Sequence, residues 1–139
     1  VADSIHRAGV RWTGGNGSDD RAHEILLGAQ ELPCSSALEF GGDDAKGNPE
    51  TLLIGALSSC HMLWFLALAR KKGFEIESYE DDAEGVLDGK RFTEATLRPL
   101  VRWGGDPPEP EAIEKLHERA HQLCFIANSV DFPVAVAPA

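Results

Sequence analysis

Asn48-Pro49-Glu50, then Thr51–Ala69 (TLLIGALSSCHMLWFLALA), then Arg70-Lys71-Lys72-Gly73, is the stretch whose reading decides the fold. Asn caps free backbone N–H groups, proline suits the first helical position, and a glutamate complements the positive helix end. Three basic residues followed by glycine mark the stop. The sequence therefore predicts one helix of about 24 residues, roughly 36 Å long at 1.5 Å per residue. It is apolar on nearly every side and long enough to raise a membrane span. Ser58, Ser59, Cys60 and His61 lie at its centre, however, and the flanking chain is polar and acidic. A helix of this kind can be buried inside a soluble assembly. A short chain has too little else to cover it, which points to a dimer.

Outward from this helix, the first third reads as strands over Val10–Thr13, His23–Ala29 and Leu32–Phe40. Gly14-Gly15-Asn16-Gly17 turns between the first two, Gly28 punctuates the second, and Gly41–Gly47 is a loop. After the helix, Phe74–Leu87 and Arg91–Trp103 read as two strands about an Asp88-Gly89 turn. Gly104–Pro110 is a proline-containing loop. Glu111–Leu123 is an amphipathic helix, with Ile113, Leu116, Ala120, Leu123 and Cys124 on related turns. Phe132–Val136 is a last strand. Segregated runs of strands and helices indicate an α+β fold in one domain, residues 1–139.

The net charge of -10 argues against binding a phosphate backbone or an anionic membrane surface, so neither nucleic acid nor membrane is an expected partner. No charged n-region with an apolar h-region opens the sequence, and three cysteines do not form the dense, even framework of a secreted mini-domain. The expected location is cytoplasmic.

Cys60 sits mid-helix on a face shared with Leu53, Ala56, Leu57 and Trp64, and Cys124 ends the second helix. Spacing alone favours buried structural cysteines, because free cysteine usually behaves as a small hydrophobe; it does not bring the two together. Cys34, in a strand, reads as a packing residue or a partly exposed thiol. His61 and His121 could join Cys60 and Cys124 around zinc, but His61 faces about 100° away from Cys60 on the helix.

Asn48-Pro49-Glu50-Thr51-Leu52-Leu53, with Ala56 and Ser59-Cys60-His61, resembles the central-helix signature of the OsmC/Ohr family, the osmotically inducible and organic hydroperoxide resistance proteins. Ala120-His121-Gln122-Leu123-Cys124 with Ala127-Asn128-Ser129-Val130 resembles that family's second motif. The resemblance implies an intertwined homodimer with antiparallel sheets wrapped around long central helices. It also implies a cysteine peroxidase for organic hydroperoxides, with no metal, haem or flavin cofactor. Cys60 would attack, Cys124 would resolve through a Cys60–Cys124 disulfide, and an external dithiol, such as a lipoyl group on a protein, would reset the pair. Glu50 would match the family's active-site glutamate, which holds an arginine near the thiol. That arginine is where this sequence departs. Ser35–Gly47 contains Lys46 but no arginine, and Arg21 in the early glycine-rich turn is the candidate, with a solvated surface charge as its other reading. The rival function is a noncatalytic relative that binds a small apolar ligand or senses redox state.

Overall fold

Helix α1 (Pro49–Lys71) begins and ends on the signals its sequence carries. Asn48 Oδ1 accepts the Thr51 N–H at 2.9 Å, and Thr51 Oγ1 accepts the Asn48 N–H at 3.3 Å. The exchange satisfies two donors that the helix itself cannot. At the other end Gly73 takes a φ of +80°. Its N–H bonds the Arg70 carbonyl at 2.9 Å while the Phe74 N–H reaches back to the Ala69 carbonyl at 3.0 Å. This paired closure needs a left-handed residue, which glycine supplies without a Cβ penalty.

The computed structural model describes residues 3–139. These divide into two compact units, one ending at Leu52 and the other spanning Leu53–Ala139, with the boundary inside the first turn of α1.

The first unit holds an antiparallel sheet of β1 (Gly9–Arg11), β2 (His23–Leu27) and β3 (Gln30–Cys34), in that order. Gly28, with φ +60°, takes the first place of a two-residue turn between β2 and β3, so the second strand stops short of Ala29. The third strand also differs from expectation: it ends at Cys34 rather than Phe40. Polar contacts draw the chain off the sheet there. The Ser35 N–H bonds the Gly47 carbonyl at 2.9 Å, and Ser35 Oγ donates to Asp19 Oδ1 at 3.1 Å while accepting the Asp43 N–H at 3.3 Å. Leu38–Phe40 then form a short 3-10 turn ended by Gly41.

In the second unit the two long strands expected over 74–87 and 91–103 form one hairpin broken in the middle. Its outer halves, β4 (Ile76–Asp81) and β7 (Pro99–Trp103), pair in a two-stranded sheet. Its inner halves, β5 (Glu84–Asp88) and β6 (Arg91–Leu97), pair around Gly89-Lys90. The break is built by Asp81, which accepts the Arg98 N–H at 2.6 Å on one carboxylate oxygen and the Ser58 hydroxyl on the other. Pro99, lacking an N–H, follows at once. Strand β8 (Val134–Val136) lies parallel to β6, shorter than the expected 132–136 and the one non-antiparallel pairing among the described strands. Helix α2 runs Pro110–Leu123. The architecture is α+β, as expected.

Along α1 the residues Ile54, Leu57, His61, Phe65 and Ala69 are buried, a stripe at three- and four-residue spacing. Ile54 and Leu57 pack with Ala95 and Leu97 of β6, supported by Phe92, Phe132, Val134 and Val136. Phe65 and Ala69 pack with Leu116 and Ala120 of α2, supported by Tyr79, Val101 and Trp103. Each fully buried Leu or Phe contributes about 1.5–3 kcal/mol. The opposite stripe of Gly55, Ser59, Leu63 and Ala67 is open, and only 28% of the helix's most apolar stretch is buried. By length and composition α1 could cross a membrane, but a core helix of a soluble protein passes the same test.

Candidate functional site

The cysteines expected to work together are neighbours. Cys60 projects half-buried from α1, and Cys124 caps the C-terminus of α2, where it is 1% exposed. The two thiols are near enough for Cys60 to raise the Cys124 thiol, and all three cysteines are free. Helix α2 brings Cys124 to this place because Leu116 and Ala120 dock on Phe65 and Ala69 of α1. The chain then folds back through a 3-10 turn at Ala127–Ser129, so the Ala127 N–H points at Cys124 Sγ, 3.3 Å away. The Asn128 N–H bonds the Cys124 carbonyl at 3.0 Å, and Asn128 Nδ2 donates to the Gln122 carbonyl at 3.0 Å. Ala127-Asn128-Ser129 thus closes the carbonyl end of α2 and fixes the second thiol.

Burial pushes the Cys124 thiol up, and the adjacent Cys60 pushes it in the same direction; the N–H groups of Ala127 and Ile126 pull it part of the way back. A thiol held above its ordinary value stays protonated at neutral pH and is a poor first attacker. Cys60 opens onto a groove of about 510 Å³ lined by Ala56, Leu63, Trp64, Ala67, Phe125 and Ile126. Trp64 and Phe125 meet edge to face at 5.5 Å between ring centres, forming one wall. Leu63 and Phe125 are 59% and 66% exposed, so the groove stands open in the single chain. Chemically, the arrangement offers an accessible sulfur beside apolar surface, with a second thiol behind it.

The other candidates belong to the first unit. Glu50 is half-buried in the first turn of α1. Arg21 is 51% exposed, and its Nη1 donates to Asp20 Oδ1 at 3.0 Å, beside Gly41. Lys46 is engaged with Asp19 at 3.4 Å. Cys34 is wholly buried at the end of β3, and burial raises its thiol. Among the described residues, no three or more His, Cys, Asp or Glu side chains gather as a metal site.

The sequence reading missed a buried pair of histidines. His61 Nε2 and His117 Nδ1 are 3.0 Å apart, the rings are parallel within 5°, and Phe65 stacks on His117 with centroids 4.2 Å apart. Burial drives both imidazoles down to about 4, and for His61 the neighbouring His117 and His121 add to the fall while Asp81 opposes it. Both rings are therefore neutral at pH 7, one donating to the other. The outer nitrogens, His61 Nδ1 and His117 Nε2, and the Tyr79 hydroxyl have no partner, and each such group costs about 1–3 kcal/mol. A signal was present: His117 lies four residues after Ile113 and three before Ala120 on α2, as His61 lies four after Leu57 and four before Phe65 on α1.

A family model described as "OsmC-like protein" matches residues 41–138, which hold α1, the kinked hairpin, α2, Cys60 and Cys124. The chain belongs to the OsmC-like family. An OsmC-like protein of unknown function from Vibrio cholerae is 34% identical, with a TM-score of 0.91 over 99% of this chain and 100% of that one. An organic hydroperoxide resistance protein from Elizabethkingia anophelis superimposes with a TM-score of 0.74 over 99% of both chains at 19% identity, a likeness of fold alone. The uncharacterized protein YmaD of Bacillus subtilis is 26% identical over 98 residues, covering 66% of this chain and 65% of that protein. The match thus spans just under two thirds of that curated relative. The OsmC-like fold and the family expected from the two motifs are both found.

Proposed function

We propose that this OsmC-like protein is a thiol peroxidase that reduces organic hydroperoxides to alcohols. The observation that carries the reading is the half-buried Cys60 on an apolar groove with Cys124 as its neighbour. The Cys60 thiolate attacks the peroxide, breaking the O–O bond; the sulfur becomes a sulfenic acid and the alkoxide takes a proton to leave as alcohol. The Cys124 thiol displaces water from that sulfenic acid, forming the disulfide. An external dithiol, of the kind a lipoylated protein carries, then exchanges with the disulfide, restoring both thiols and leaving oxidised itself. No metal or other cofactor enters these steps. Glu50 and Arg21 are assigned to thiolate activation, with Glu50 orienting the guanidinium and its positive charge favouring ionised sulfur.

Turnover of cumene hydroperoxide and of hydrogen peroxide, each with dihydrolipoamide as reductant, tests the reading. Each apolar CH₂ buried in the groove contributes about 0.8 kcal/mol, so kcat/KM should favour cumene hydroperoxide by roughly tenfold or more. Equal efficiency for the two peroxides would remove the groove from the reaction. The ion pair of Arg21 with Asp20 favours a second reading, a noncatalytic apolar-ligand or redox-sensing protein. One oxidation per chain with no turnover is the result that would select it.

The OsmC-like unit is proposed to act as a single domain over residues 1–139, in the cytoplasm, as an intertwined homodimer in which a second copy covers the open stripe of α1. Such an interface resembles a core divided between two chains. Sedimentation equilibrium at micromolar protein should give twice 15.0 kDa, with apparent stability rising with concentration. A folded, active monomer would overturn this assembly.

A further inference from the structure

His61 follows Cys60 on α1, and a step of one residue turns it by about 100°, so the cysteine faces the groove while the histidine faces α2. His117 stands seven residues, about two turns, before the Cys124 cap of α2. Their 3.0 Å contact is the one side-chain hydrogen bond that joins α1 to α2 among the described residues. Both side chains are nearly inaccessible, at 1% and 5% exposure. The remaining contact between the helices is apolar and partly small, Phe65 and Ala69 against Leu116 and Ala120. Packing of that kind is non-directional and permits small axial slips. An N–H···N bond between buried rings does not, since a slip leaves both nitrogens dry and unpaired. Disulfide formation is sensitive to such slips because the bond admits only narrow Cα separations and torsions.

We infer that His61 and His117 are positioning residues for the thiol pair: their hydrogen bond fixes the register of the two cysteine-bearing helices, so that Cys124 meets oxidised Cys60. Neither imidazole takes part in attack on the peroxide. The inference rests on the peroxidase reading for its role in the cycle, but the clamp itself is measurable without peroxide.

The test compares the parent with the doubly substituted His61→Phe/His117→Phe protein, which keeps aromatic packing and removes the bond. A conservative His117→Asn variant places an amide near the position of Nδ1. After one equivalent of cumene hydroperoxide, loss of the first thiol should be unchanged within about twofold in all three. The later, peroxide-independent disulfide step should slow at least tenfold in the double variant and recover to within about threefold in His117→Asn. With excess peroxide the double variant should accumulate sulfinic acid at Cys60. In glutathione redox buffer without peroxide, its Cys60–Cys124 disulfide should form with at least tenfold lower effective concentration. If the double variant does not fold by circular dichroism, His117→Gln, whose polar end lies one bond further out, carries the same expectation. A folded double variant with parental disulfide rate and equilibrium would overturn the inference, as would a His117→Asn protein as slow as the double variant. A parent that forms no Cys60–Cys124 disulfide in glutathione buffer would also overturn it. A parent inert to hydroperoxide, yet forming that disulfide tenfold more readily than the double variant, would sink the peroxidase reading and leave the clamp standing.

Discussion

Cys60→Ser should reduce hydroperoxide turnover by a factor on the order of 10³ or more, since a serine hydroxyl neither ionises at neutral pH nor takes up the sulfenic oxygen. Cys124→Ser should behave differently. Its first oxidation at Cys60 should proceed, because the attacking sulfur and the groove are intact, and the cycle should then stall or continue to the sulfinic acid. Mass spectrometry after one equivalent of peroxide should show the Cys60–Cys124 disulfide in the parent and a sulfenic or sulfinic Cys60 in Cys124→Ser. Cys34, wholly buried with a raised thiol, should remain reduced throughout. Oxidation at Cys34 with Cys60 untouched would overturn the assignment of both reactive cysteines.

The second large effect is on stability in mild acid. In the unfolded chain the two imidazoles protonate near 6.5, whereas burial holds them neutral in the folded protein down to about 4. Between those values the unfolded state binds more protons, so stability rises with pH and is lost as the pH falls from about 6.5 towards 4. Each histidine adds a slope of up to about 1.4 kcal/mol per pH unit. Both folded rings stay neutral through this window, so the two contributions add. Urea unfolding at pH 7, 6, 5 and 4.5 should show a midpoint that falls steeply through this window, with a shallower fall in the His61→Phe/His117→Phe protein. A parental midpoint flat from pH 7 to 4.5 would contradict the burial of the pair.

Helix α1 was legible almost to the residue because its signals are local. Asn48, Pro49 and Gly73 act on backbone groups within a few positions of themselves. The third strand was read too far, to Phe40, because Ser35 bonds Asp19, Asp43 and Gly47, and such partners leave no periodic mark. The broken hairpin escaped for the same reason: Asp81 interrupts two strands by meeting Arg98 and Ser58, residues 17 and 23 positions away. The parallel docking of β8 is likewise a pairing between distant segments. At the site, the cysteines were found through motif resemblance, while their proximity comes from the packing of α2 on α1. The histidine pair had a periodic signal on both helices, but polar residues on apolar stripes read individually as chemistry rather than as partners for each other.

The kinked hairpin also sets an order of assembly. Its inner pair, β5 with β6, is closed by two residues, whereas its outer pair must bring Asp81 to Pro99 across everything between them. Once the inner pair has zipped, the ends of the outer pair are already near each other, which lowers the loop-closure cost by roughly 1–2 kcal/mol. The β4–β7 sheet therefore inherits its alignment from a turn that belongs to the other sheet. It can fray while β5–β6 stays paired, but when the inner ladder opens, the outer one loses the tether that made its closure cheap.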